Sequence, residues 1–134
     1  MLLIFFVICF QQICADSKII FNENKFREIF SKILRVRIPG TQGHDYVKNY
    51  ITEWYRELNW TVKYDEFFSP TPFHRRLLFT NIMATRNAGA TNYLALACHY
   101  DSKYYPPSHN KVFLGGIDSA VSCAMMLLLA EVLT

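Results

Sequence analysis

The run Ser119 to Leu133 sets the strongest limit on how this chain can fold. Val121, Ala124, Met125, Leu128, Leu129 and Val132 recur at helical spacing, and most positions between them are apolar as well. A helix that is apolar nearly all round has no face to offer water, so it must be buried. It is too short to span a bilayer. A core helix needs other layers around it, and the preceding chain supplies a candidate. Tyr93 to Cys98 is free of charge and apolar on both faces, which suits a strand buried between two layers. At its end polarity changes abruptly, at His99-Tyr100-Asp101-Ser102.

The rest of the chain fits this frame. Phe26, Ile29, Phe30, Ile33 and Leu34 predict an amphipathic helix over about 22–35. Pro39-Gly40 marks a turn. Tyr46, Val47, Tyr50, Ile51, Trp54 and Leu58 predict a second helix over about 42–58. Thr61 to Phe68 reads as a strand ended by Pro70 and Pro72, and Leu77 to Thr85 as another, bounded by Asn87-Ala88-Gly89. Lys103 to Gly116 is a loop. Helices, strands, then strand–loop–helix predict an α/β fold, a central mixed sheet flanked by helices. In such sheets ligands sit beyond the carboxyl ends of strands, where His99, Asp101 and Asp118 fall. There are no repeats or internal boundaries, so 16–134 reads as part of one domain. The sequence stops inside the apolar helical pattern, which predicts an incomplete fold and an amino-terminal fragment.

Thirteen of the first fifteen residues are hydrophobic and none is charged. Leu2 to Phe10 is an unbroken apolar run, and Ala15 suits a small-residue cleavage site, so 1–15 reads as a secretory signal peptide. Its flank carries no Lys or Arg, which leaves open an uncleaved anchor or a buried strand. Too few apolar residues are present for a stable membrane span. In a secreted chain Cys9 and Cys14 leave with the signal, and Cys98 and Cys123 remain as an even pair. They form either a disulfide or two buried thiols. Asn59-Trp60-Thr61 is a glycosylation sequon, which predicts an exposed Asn59. The net charge of +3 is mild and scattered, without the basic, aromatic-interleaved run of a nucleic-acid binder.

Three residues could carry chemistry. His99 and Asp101 lie two apart just past the strand, and Asp118 follows Gly115-Gly116. Imidazole and carboxylate are both zinc ligands, and a catalytic zinc takes three protein ligands and an open position. Each residue also has a structural reading. Asp118 suits a helix N-cap, Asp101 an Asx turn, and His99 a half-buried, satisfied histidine.

The segments Cys98-His99-Tyr100-Asp101-Ser102-Lys103-Tyr104 and Val112-Phe113-Leu114-Gly115-Gly116-Ile117-Asp118-Ser119-Ala120-Val121-Ser122-Cys123-Ala124-Met125-Met126 resemble the animal glutaminyl-peptide cyclotransferases (glutaminyl cyclases), relatives of the zinc aminopeptidases. The resemblance extends through Arg37-Ile38-Pro39-Gly40, Phe67 to Pro72 and Thr80-Asn81-Ile82, and so covers about 35–133. It implies that Asp118 is a zinc ligand, that Cys98 and Cys123 are bonded, and that His99 and Asp101 stand near the metal without ligating it. It implies one zinc ion and peptides or proteins with amino-terminal glutamine as substrates, whose glutamine closes to pyroglutamate with loss of ammonia. Gly116, Ile117 and Ser122 depart mildly from the family pattern. The family's adjacent Glu–Glu pair, one member a ligand and the other a proton shuttle, is absent from this sequence, and Glu131 is a lone helix carboxylate. The other zinc ligands are therefore expected beyond Thr134, and this segment alone is expected to be inactive. Two other readings stand beside this one, a zinc aminopeptidase of the same superfamily and a non-catalytic truncated secreted protein.

Overall fold

The computed structural model describes Leu3–Ile8 as a strand, and residues 21–134 in full. Cys9, Cys14 and Ala15, which bear on leader cleavage, lie outside the described residues. The strand is β1, and the other elements follow the sequence reading closely. They are α1 (Glu23–Ile33), α2 (Gln42–Glu57), β2 (Thr61–Ser69), β3 (Leu77–Thr85), β4 (Leu94–His99) and α3 (Ser122–Val132).

Local chemistry sets the helix starts. The Asn22 side chain accepts from the Lys25 amide at 3.0 Å and caps α1, and Glu23 pairs with Arg27 one turn on. Thr41 caps α2 by accepting from the His44 amide. A Cβ at Gly43 would collide with the carbonyl of Val36, so only glycine lets α2 start this close to the segment before it. The apolar stripes face inward as their spacing predicts: Ile29 and Ile33 of α1, and Val47, Ile51 and Tyr55 of α2, are fully buried.

The sheet has the order β2-β3-β1-β4. β2 and β3 form an antiparallel pair, from Thr61 opposite Thr85 to Ser69 opposite Leu77. β1 runs parallel to β3, with Ile4 opposite Ile82, and antiparallel to β4, with Ile4 opposite Cys98. The sheet is mixed, as expected. One apolar run satisfies both a leader's hydrophobic core and an interior strand, since both require unbroken apolarity.

Thr80, Ile82 and Ala84 alternate along β3 as its buried face, and with Cys98 they meet the three helices. Indole N–H groups lock the helices together. Trp54 donates to the Leu127 carbonyl of α3 at 3.0 Å, and Trp60 donates to the Thr134 hydroxyl at 3.1 Å. The opposite sheet face, with Lys63, Met83 and Ala95, carries no helix among the described residues.

Two expectations change. β4 is not buried between two layers: Leu94, Ala95 and Ala97 are exposed, and within the strand only Cys98 is buried. Its apolar composition anticipates cover that residues 21–134 do not provide. The second change concerns the core helix, whose regular part begins at Ser122 rather than Ser119. Gly116–Val121 is a kinked turn in which Asp118 and Ser119 have non-helical backbone angles. α3 is buried through Cys123, Ala124, Met126, Leu127, Leu128 and Ala130, while Met125 and Val132 remain exposed. Those two residues, with Phe21, Leu96 and Leu129, line an apolar hollow of about 410 Å³.

Candidate functional site

The carboxyl end of β4 and the kinked turn before α3 converge on one spot. The disulfide between Cys98 and Cys123 fastens them, with Cα atoms 5.9 Å apart. That bond settles the choice between a disulfide and free thiols. The Ser119 hydroxyl adds a hydrogen bond to the His99 carbonyl. The two arms of the site are therefore tied by covalent and polar links beside the candidate functional residues.

All three candidate residues are brought together. His99 Nε2 lies 2.6 Å from Asp118 Oδ1. His99 Nδ1 lies 3.2 Å from Asp101 Oδ1 and 3.2 Å from the Asp101 carbonyl. The imidazole thus stands between two carboxylates. A carboxylate only accepts, so an imidazolium satisfies both, whereas a neutral ring donates to one of them. Exposure divides the roles: the Asp118 side chain is 75 % exposed, while those of His99 and Asp101 are 24 % and 20 %. Asp118 faces solvent, and the other two form the half-buried support behind it.

The competing structural readings meet this geometry differently. Asp118 caps no helix, because α3 begins four residues later with Val121 before it and no side-chain cap. The Asp101 carboxylate is engaged by the His99 ring. His99 is half-buried and satisfied as that reading expected, and its partners are the other two candidates. β4 ends at His99, so strand alternation does not carry Asp101 to its place; the turn after the strand does.

Several residues that sequence reasoning passed over also shape the site. Arg37, between α1 and α2, is fully buried, and its Nη2 donates to the Gly115 carbonyl at 2.8 Å. Ser102 is buried, and its hydroxyl accepts from the Arg37 amide at 3.0 Å. Tyr100 is buried, donates to the Thr80 carbonyl at 2.8 Å, and stacks on His44 with centroids 4.9 Å apart. Burial pushes the Tyr100 hydroxyl well above the ordinary phenol range. No spacing pattern marks these positions. Arg37-Ile38-Pro39-Gly40 belongs to the family resemblance, but one arginine among 14 basic residues carries no periodic signal of its burial.

An imidazole and a carboxylate are the donor types zinc takes, and Asp118 is open on its solvent side. Asp101 behind His99, and His99 behind Asp118, form the kind of hydrogen-bonded chain that orients a metal ligand. Among the described residues, however, no group of three His, Cys, Asp or Glu side chains could hold a metal ion. The donors fit zinc in kind and fall short in number.

The chain is similar to known proteins in sequence and in fold. Residues 81–134 match Peptidase family M28. The chain is 49% identical over 107 residues to a glutaminyl-peptide cyclotransferase of Drosophila melanogaster, covering 80% of this chain and 29% of that protein. It is 45% identical over 103 residues to one of Bos taurus, covering 75% and 28%, and 41% identical over 126 residues to one of Gloydius blomhoffii, covering 92% and 33%. The crystal structure of a Macrostomum lignano glutaminyl cyclase superposes with a TM-score of 0.73 at 32% identity, over 84% of this chain and 33% of that one. The chain therefore spans about a third of the length of these relatives. With sequence and fold in agreement, it belongs to the glutaminyl-peptide cyclotransferase family.

Proposed function

We propose that this chain is the amino-terminal part of a secreted, zinc-dependent enzyme that cyclises amino-terminal glutamine of peptides to pyroglutamate and releases ammonia. The observation that supports it most is the solvent-facing Asp118 carboxylate, held by a His99 that Asp101 orients, on a fold shared with a glutaminyl cyclase. Asp118 would hold the metal through one oxygen while its partner oxygen accepts from His99. His99 and Asp101 would act as supports, fixing the carboxylate's direction rather than ligating. Zinc, when bound, would polarise the γ-amide carbonyl of the substrate. The reacting amine and amide belong to the same glutamine, so holding its backbone in one pose turns the closure into a five-membered ring into a positioning problem. The amine proton must pass to the departing ammonia through a carboxylate, and the remaining ligands and that shuttle would come from residues beyond Thr134.

Secretion is part of the proposal. The segment 1–15 would act as a leader, Cys98–Cys123 would form in an oxidising compartment, and Asn59 would carry a glycan. Asn59 is exposed and in a left-handed backbone conformation, φ 60°, accessible to modification. Among the described residues no helix is long and apolar enough to cross a membrane. Removing the leader takes β1 out of the slot between β3 and β4, whose inner edges then need another strand.

The decisive experiment is cyclisation of a Gln-initiated peptide by the full-length gene product, with and without a strong zinc chelator. Asp118→Asn is expected to abolish turnover and zinc retention together. Full activity under chelation refutes the zinc role. The match to Peptidase family M28 over 81–134 favours one second reading, a zinc aminopeptidase. Release of amino-terminal residues from unblocked peptides, without pyroglutamate formation, would identify it.

A further inference from the structure

Among the described residues, Arg37 is the largest side chain that is completely withdrawn from solvent. A guanidinium taken out of water loses its hydration, and that loss is costly unless its donors are matched. No carboxylate makes an ion pair with it among the described residues. Its two terminal nitrogens donate instead to main-chain carbonyls, while Nε is buried with no partner among the described residues. Nη1 donates to Arg35 at 3.1 Å and to Leu114, and Nη2 to Gly115 at 2.8 Å. The last two acceptors lie 77 and 78 residues away, on the loop that leads into Asp118.

The main chain of the same residue holds the other arm of the site. Its amide donates to the Ser102 hydroxyl at 3.0 Å, and its carbonyl accepts from the Ser102 amide at 3.2 Å. Ser102 follows Asp101 directly. Gly115 completes the arrangement: its φ is +57°, and a Cβ there would lie 3.0 Å from Arg37 Nη2 and 2.5 Å from the Asp118 carbonyl oxygen. Glycine is required for the guanidinium to reach the loop and for the loop to turn back toward Asp118.

We propose that Arg37 is a positioning residue for Asp118: its guanidinium fixes the Leu114–Gly115 loop, and its main chain fixes Ser102, so that the Asp118 carboxylate meets the His99 ring. It touches neither substrate nor metal. The planar fork with donors on both terminal nitrogens is what binds two consecutive carbonyls, and a lysine's single ammonium cannot reproduce it. The proposal rests on the reading of Asp118 as a zinc ligand.

The test uses the full-length gene product and measures zinc affinity by competition with a chromophoric chelator, beside thermal unfolding and peptide cyclisation. Arg37→Lys keeps the charge and loses the fork. It is expected to fold and to lower zinc affinity and kcat by about 10-fold or more, as loss of an outer-shell partner does, with KM for the peptide unchanged. Arg37→Ala opens a cavity, and millimolar guanidinium ion is expected to restore part of its zinc affinity. Ser102→Ala removes one main-chain grip and leaves the guanidinium in place, so it is expected to have the smaller effect. Variants that lower the unfolding temperature while the folded fraction binds zinc as the wild type does would overturn the proposal and leave the cyclase reading intact. A wild-type protein that binds zinc without cyclising peptides would overturn the cyclase reading alone. One that binds no zinc overturns both.

Discussion

The Cys98–Cys123 bond joins the residue before His99 to the second residue of α3, so it holds the site's two arms as well as the fold. Its contribution follows from the sequence separation of 25. Closing a loop of that length removes about 12 cal/mol/K from the entropy of the unfolded chain, or about 3.5 kcal/mol at 25 °C. Both cysteines are buried, at 7% and 1% exposure, so the sulfurs themselves stay packed when the bond is reduced. The perturbation is therefore reduction of the wild-type protein, which changes no side-chain volume. At a urea slope of about 2 kcal/mol/M, reduction should lower the unfolding midpoint by about 1.7 M. The assay is urea unfolding followed by tryptophan fluorescence, since Trp54 and Trp60 bridge to Leu127 and Thr134. A midpoint that moves by less than about 0.3 M on full reduction would refute the loop-entropy argument. Free thiols at both positions on unreduced mass mapping would refute the bond itself.

Two further outcomes follow from buried polar groups. His44 is packed against Tyr100, its Nε2 has no hydrogen-bond partner among the described residues, and burial lowers its pKa; Lys48 adds to this, while Asp45 and Asp101 oppose it. The folded state keeps the ring neutral while the unfolded chain takes up a proton near pH 6.5. This contribution is therefore full above that pH and falls as the pH drops toward the lowered folded value. Urea midpoints between about pH 7.5 and 5 should decline more steeply in the wild type than in His44→Gln, and parallel slopes would sink the idea. Tyr100→Phe keeps the ring and loses the hydrogen bond to the Thr80 carbonyl, which should cost about 1 kcal/mol in urea unfolding. Unchanged stability would mean that the hydroxyl contributes nothing.

Much of this protein was legible in its sequence, for local reasons. The stripes over 22–35 and 42–58 became α1 and α2 because a helix's period fixes which side chains share a face. Pro70, Pro72 and Asn87-Ala88-Gly89 bounded the strands because proline and turn residues break a ladder wherever they stand. His99, Asp101 and Asp118 were singled out because polar groups abutting an apolar strand and an apolar helix are conspicuous by type.

What the tertiary structure alone decided is long-range. Periodicity made Asp118 a plausible helix cap, and only packing turned its carboxylate to His99 and moved the helix start to Ser122. Apolar composition made Tyr93–Cys98 a doubly covered strand, but cover depends on what lies opposite, and residues 21–134 cover one face. Arg37 reads in the sequence as one surface cation among many. Its burial is set by carbonyls 77 and 78 residues away, and no local pattern can encode partners that meet only when the chain folds.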